Sequence, residues 1–437
     1  MLRALLIITA VLSLNSDRLV VRPPGEVGMS AERLQSISGI VSKGVAAGGF
    51  PGAAVIVGRS GAIVYKEGFG RLSWTAGARK VSADESIYDL ASLTKVVGAT
   101  TALMVLYDEG KLDLDDKVQR YLPDFVGARK DLVTIRQVLA HRGGLAPGRV
   151  LWKKATSPAH AREMVLTTKL GYQPGTMMDY SDLGGDILGW VAEAASGQRL
   201  DRFLEAKVFG PLGMKNTMFK PADSLKARIA PTEVYPPRGH PIRGEVHDEN
   251  AYVLGGIVGH AGLFSSASDL AVFAQMMLNR GIYGGVRIIA DSTIQLFTEH
   301  VAATRTLGWE LGAGQHGAGD YLDEHAFGHT GFTGTSLWID PDRDMFVILL
   351  TNRIHEARAR RPSIVIADIR NDITDAAALA VLDPDVAIVD PPKSFRADRA
   401  LDWNRPAGTR STRERVKPAT KPTPHPAQRV AATNRAP

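Results

Sequence analysis

Cysteine is absent from the 437 residues. That excludes disulfides, thiol nucleophiles and thiolate-bound metals, while leaving the compartment open. Long apolar runs are scarce. The N-terminal run Ala4–Leu14 (ALLIITAVLSL) has eleven residues, too few for an ordinary membrane span. An excess of charge of one sign is missing from most of the chain. The formal net charge is +6, but residues 404–437 hold eight Lys or Arg against the single acid Glu414. The rest is close to neutral, with no basic face for nucleic acid. No serine sits in G-x-S-x-G, which excludes the usual α/β-hydrolase elbow. No H-E-x-x-H occurs, and His325 and His329, four apart, are separated by a helix-breaking Gly328. Gly312-x-Gly314-x-x-Gly317 fits a dinucleotide pattern, but no apolar helix follows it, so it reads as a loop. No metal and no cofactor are expected.

Apolar residues make up 44% of the chain and charged residues 22%, ordinary values for a globular protein with a sizeable core. Arg3 followed by the short apolar run has the form of an export signal, although no A-x-A-like triplet follows it. Residues 1–25 are therefore expected to be a signal peptide or an uncleaved N-terminal anchor. This places the protein in the periplasm or outside the cell, with envelope association through the N-terminus. Residues 386–437 are basic and Pro-rich without periodicity, the composition of a disordered tail.

Between these ends, Ser30 caps a helix that Gly48-Gly49 closes at Ala47. Ala53–Val57 and Ala62–Tyr65 form a hairpin across Gly58-Arg59-Ser60-Gly61. Further helices are expected from Thr134 to Ala140, from Ser157-Pro158 to about Leu170, and from Ser181 to Gly197. Others cover Leu200–Phe209, Ser268–Leu278 and Asp291–His300. Residues 221–262 read as a long loop framing something. Strands return at Thr335–Ile339 and Met345–Leu350, and Ile364–Leu382 is a last helix. The expected fold is α+β: one antiparallel sheet from residues 26–91 and 301–385, flanked by terminal helices, with a mainly helical insertion over 92–300.

Three segments carry chemistry. Ser92-Leu93-Thr94-Lys95 places a serine and a lysine three apart, on one face of a helix. The following VVGATTALMVL (Val96–Leu106) has no charge, the mark of a buried helix. A lysine at the mouth of such a helix can activate the serine as a nucleophile. The chance occurrence of S-x-x-K is high, and its helical context is what raises it. Tyr180-Ser181-Asp182 stands at a loop-to-helix junction. Tyr180 could serve as a general base if cations surround it, since a tyrosine ordinarily titrates near ~10; its structural alternative is a satisfied buried phenol. Asp182 is also what a helix dipole favours in a first turn. His329-Thr330-Gly331 lies before or on a strand, where glycine admits a close backbone approach; alone, His329 reads as a half-buried histidine bonded to the main chain.

Taken in order, these segments resemble the serine β-lactamase and penicillin-binding protein superfamily, specifically its class C-like enzymes with their esterase and peptidase relatives. Supporting stretches are Thr134–His141 with Gly143-Gly144-Leu145, and Gly259–Phe264. The resemblance spans about residues 26–385. It implies Ser92 as the acylated nucleophile, Lys95 and Tyr180 as the proton-transfer pair, and Asp182, His329, Gly331 and Phe332 around the substrate and oxyanion. The N–H groups of Ser92 and Phe332 would be the oxyanion donors. Two departures bear on substrate. His329 stands where the family often has lysine, and is mostly neutral at pH 7. Asp182 stands in place of asparagine and can only accept hydrogen bonds. Both favour neutral ester or amide substrates, or an amine, over anionic β-lactams. The expectation is a serine hydrolase acting on a small-molecule ester, amide or peptide. The rivals are a D-alanyl-D-alanine carboxypeptidase or β-lactamase, and a non-catalytic sensor of the same fold. His141 and His260 are expected to be structural.

Overall fold

A computed structural model describes residues 18–234, 238–302, 304–312, 317–356, 363–383 and 389–399. Residues 1–17 of the expected export signal and most of the basic tail lie outside these residues. A seven-stranded sheet is assembled from both ends of the chain: β1 (Val20–Val21), β2 (Gly52–Arg59), β3 (Ala62–Gly70), β4 (Glu310–Leu311), β5 (Phe327–Thr330), β6 (Ser336–Asp340) and β7 (Met345–Thr351), in the spatial order β1-β3-β2-β7-β6-β5-β4. The two halves join where β2 pairs antiparallel with β7, Val57 opposite Val347. The positioning helices are α1 (Ala31–Ala46), α2 (Thr101–Asp108), α3 (Asp182–Ser196), α4 (Ala267–Leu278) and α5 (Ser363–Leu379).

Strand alternation divides the core. Ala53, Val55, Val57, Val347 and Leu349 pack with α1 and α5 on one face. Ala54, Ile56, Ile348 and Leu350 face the other way and join the core of the helical region. Every residue of β2 and β7 is buried, so both read as continuous apolar runs rather than alternating ones. Among the described residues, no helix is long and apolar enough to cross a membrane.

The elements differ from expectation in several places. The sheet is not wholly antiparallel, because β1 runs parallel to β3, Val20 opposite Ala62. The folded body starts ahead of residue 26: besides β1, the Leu19 N–H donates to the Tyr283 hydroxyl (3.2 Å). It also continues past residue 385, because Arg396 reaches back to Asp372 and Asp375 on α5 at 2.9 and 2.7 Å. The Ser157-capped helix stops at Leu166, short of Leu170. The Gly312-to-Gly317 stretch lies partly outside the described residues.

Candidate active site

Ser92 follows Ala91, whose φ of +47° is left-handed. The chain then enters a π-helical turn, Thr94–Thr100, before α2. The sequence predicts a plain helix here. The difference lies in the threonines: the Thr101 hydroxyl donates to the Val96 carbonyl five residues back (2.8 Å), and Thr94 Oγ1 accepts from the Leu263 N–H (3.1 Å). Such turns inside helices are frequent at functional sites.

Lys95 is 4% exposed. Its Nζ donates to Ser92 Oγ (3.1 Å) and to the His260 carbonyl (3.2 Å), and it forms an ion pair with Asp182 Oδ1 (2.7 Å). An ammonium has three hydrogens, and each has an acceptor. Burial alone would push this ammonium down, but Asp182 and then Tyr180 outweigh it and hold it above the ordinary lysine range. Burial would likewise raise the Asp182 carboxyl, but Lys95 and His260 keep it below its usual value.

The helix that supplies Asp182 starts where the sequence places it. Ser181 is the N-cap, its Oγ accepting from the Gly184 N–H (3.1 Å), and Gly197 ends the helix at positive φ. The cap fixes Tyr180 immediately outside the first turn. Tyr180 lies between two imidazoles, His141 at 4.7 Å and His329 at 5.8 Å between ring centroids. Two cations face its ring, Lys95 Nζ at 4.9 Å and the Arg305 guanidinium at 5.2 Å from the centroid.

His329 is 2% exposed. Its Nδ1 donates to the Thr330 carbonyl (2.7 Å), which leaves Nε2 as the unprotonated nitrogen. Burial pushes its imidazole down to about 4; Glu310 opposes this, while Arg305 and Lys95 add to it. At neutral pH it is uncharged. Gly331 packs so closely on the 89–92 segment that an added Cβ would stand 2.4 Å from the Leu90 carbonyl. Phe332 follows, 46% exposed. Arg353 Nε donates to its carbonyl (2.8 Å), and its ring stacks on His247 at 5.7 Å.

Ser92, Lys95, Tyr180, Asp182 and His329 thus converge, and Gly331 and Phe332 form the facing turn. One expectation changes. Asp182 is not a bare carboxylate facing substrate, because Lys95 compensates its charge. Other residues join the site. Arg305, with its partner Glu310 at 2.7 Å, comes from a loop without any pattern. His260, expected to be structural, lies between two carboxylates, Asp186 (2.5 Å) and Asp248 (3.0 Å). Burial lowers its pKa, but the two acids reverse this and keep the imidazolium well above the ordinary range. Asp182 and Asp186, four apart on one helix face, were the available signal. His260 reaches this position because Gly259 lies against α3, where an added Cβ would stand 2.0 Å from the Gly185 carbonyl. His141 is structural in its bonding, its Nδ1 accepting from the Ser181 N–H (3.1 Å), yet it also forms one wall of the Tyr180 cage.

Comparison with known proteins identifies the family. Residues 37–370 match the family described as Beta-lactamase. A protein of Escherichia coli strain K12 named "Putative D-alanyl-D-alanine carboxypeptidase" is 34% identical over 371 residues, covering 76% of this chain and 85% of its own. A relative of the same name from Salmonella enteritidis PT4 is 34% identical over 374 residues, covering 77% of this chain and 86% of its own. Among solved structures, EstCE1, described as a hydrolase with promiscuous acyltransferase activity, superposes with a TM-score of 0.64 at 23% identity, covering 79% of this chain and 99% of its own. A penicillin-binding protein homologue from Caulobacter crescentus gives 0.64 at 19% identity, covering 81% and 99%. These two share the fold. From the family match and the identity with its relatives, the chain belongs to the beta-lactamase family, within the serine β-lactamase and penicillin-binding protein superfamily of hydrolases.

Proposed function

We propose that the protein hydrolyses small ester or amide bonds, peptides included, through an acyl-enzyme on Ser92. The observation that carries this reading is the Lys95 Nζ to Ser92 Oγ hydrogen bond of 3.1 Å, made by a lysine whose other partners are fixed. Ser92 Oγ attacks the substrate carbonyl carbon and its proton passes toward Tyr180. The bond to the leaving group breaks, and the leaving alcohol or amine takes up the proton. Water then attacks the acyl ester, releasing the acid and restoring the serine. Lys95 works as a fixed cation. It lies beside the serine oxygen and the Tyr180 ring and holds both in register. The N–H groups of Ser92 and Phe332 receive the oxyanion.

A neutral His329 supports uncharged substrates over anionic β-lactams. A second reading, D-alanyl-D-alanine carboxypeptidase, is favoured by the names of the relatives at 34% identity. It also gains from the pairing of Asp182 with Lys95, which softens the repulsion of a substrate carboxylate. Labelling by a fluorophosphonate, present in wild type and absent in Ser92→Ala, tests the acyl-enzyme. Rates on p-nitrophenyl esters, D-Ala-D-Ala peptides and a fluorescent penicillin separate the two substrate readings. Penicillin hydrolysis far faster than ester hydrolysis would overturn the preference for neutral substrates. Export remains part of the proposal, and fractionation of cells expressing the full chain tests it.

A further inference from the structure

Asp89 lies three residues before Ser92 and is 2% exposed. A buried carboxylate is a poor source of stability, so its bonds call for a reason. Its Oδ1 accepts the Ala91 N–H (2.8 Å) and its Oδ2 accepts the His247 N–H (2.7 Å). Its main-chain carbonyl accepts the Thr333 hydroxyl (2.7 Å), and the neighbouring Leu90 carbonyl accepts the Thr335 hydroxyl (3.0 Å). Burial pushes the carboxyl up, against the pull of the two N–H donors. Ala91 is held at a φ of +47°, a region that residues with a Cβ seldom occupy. Thr333 and Thr335 belong to the turn that carries Phe332, and its Gly331 N–H donates to the Thr335 carbonyl (2.8 Å).

We infer that Asp89 is a positioning residue that sets the width of the oxyanion site. Its carboxylate holds Ala91 left-handed, which aims the Ser92 N–H. Its carbonyl ties that segment to the turn bearing the Phe332 N–H. Through His247, the same carboxylate also anchors the residue stacked on the Phe332 ring. Two donors on separate segments keep a common focus only if the segments are fixed to each other, and Asp89 bonds to both. The inference rests on the acyl-enzyme reading of Ser92.

The test compares wild type, Asp89→Asn, Asp89→Asn with Ala91→Gly, and Thr333→Val by fluorophosphonate labelling, steady-state kinetics and melting. An asparagine keeps one acceptor and turns a donor toward the other N–H. Labelling and kcat are expected to fall together by about 10- to 100-fold, with KM within about threefold, as for a misplaced oxyanion donor. Adding Ala91→Gly should recover about fivefold, because glycine adopts positive φ freely; a merely structural role would not give this recovery. Thr333→Val, which leaves the carboxylate intact, should slow labelling by about 3- to 10-fold, and it decides the matter if Asp89→Asn does not fold. Wild-type labelling rates in Asp89→Asn and Thr333→Val, or no recovery with glycine, would overturn the inference. If the wild type itself is not labelled, the acyl-enzyme reading fails instead. The crystal structure of Asp89→Asn then decides: Ala91 still at positive φ would sink the positioning role.

Discussion

Lys95 has three hydrogens to donate, and Ser92, Asp182 and the His260 carbonyl accept them, with Tyr180 alongside. The S-x-x-K spacing made the first contact legible, since residues three apart meet on a helix. The other two come from chain segments that no local pattern connects. The ion pair fixes the direction of a pH effect. Asp182 keeps the Lys95 ammonium above its ordinary range, so removing that charge in Asp182→Asn lowers the lysine. Above its new pKa the lysine is neutral, and the alkaline limb of the kcat/KM profile should move down by about one to three pH units. An unmoved limb would mean that Lys95 does not set it. His329 gives the opposite sign. Its imidazole is down at about 4 when folded, so between the unfolded value near ~6.5 and about 4 the unfolded chain binds more protons. Stability contributed by neutral His329 is therefore full above ~6.5 and falls as pH drops toward about 4, by on the order of 3 kcal/mol. Urea midpoints of wild type and His329→Gln, compared across this range, should converge as pH falls.

At the scale of elements, caps made the helices readable. Ser30 accepts from Arg33 and Ser181 from Gly184, while Thr134 and Gln137 close a capping box; each is a side chain answering a neighbouring backbone group, so the sequence displays it. The π-helical turn at Thr94–Thr100 was not readable, because one of the bonds that shape it comes from Leu263, far along the chain. Nor was β1, whose two residues are too short to show a period. The Ser181 cap does more than start α3. It stands between Tyr180 and Asp182, its hydroxyl also donating to the Ala146 carbonyl (2.6 Å). Ser181→Ala should cost about 1–2 kcal/mol as a lost cap. It should also reduce kcat beyond what the melting temperature explains, because the residues on either side lose their anchor. Ser30→Ala, a cap of similar kind remote in sequence from the site, provides the control. Equal ratios of activity to folded fraction in the two variants would show that the Ser181 cap is only structural.

Across the whole molecule, the sheet closes only when residues near 55 meet residues near 349, Val55 opposite Leu349. The order of strand pairs and helices along the sequence showed that both ends contribute to one sheet. The limits of the folded body were less visible, because composition marks apolar periodicity and not single anchoring residues. Arg396 is such an anchor. It lies in a Pro-rich basic stretch, yet its guanidinium binds Asp372, Asp375 and Asp320. The Ala397 N–H donates to Asp372 (2.6 Å), and Lys43 on α1 pairs with Asp398. Burial raises the Asp375 carboxyl to about 6 even with Arg396 pulling it down. Without Arg396, two buried carboxylates on α5 would lose their cation. Removing one partner of a fully buried pair costs about 3–5 kcal/mol; Arg396 keeps 23% side-chain exposure, so screening reduces this to on the order of 2 kcal/mol. A chain ending after residue 385 should melt several degrees below one ending after residue 399. Arg396→Ala in the full chain should reproduce most of that loss. If both truncations melt alike, the segment from 389 to 399 only rests on α5, and the folded body ends where composition first placed its limit.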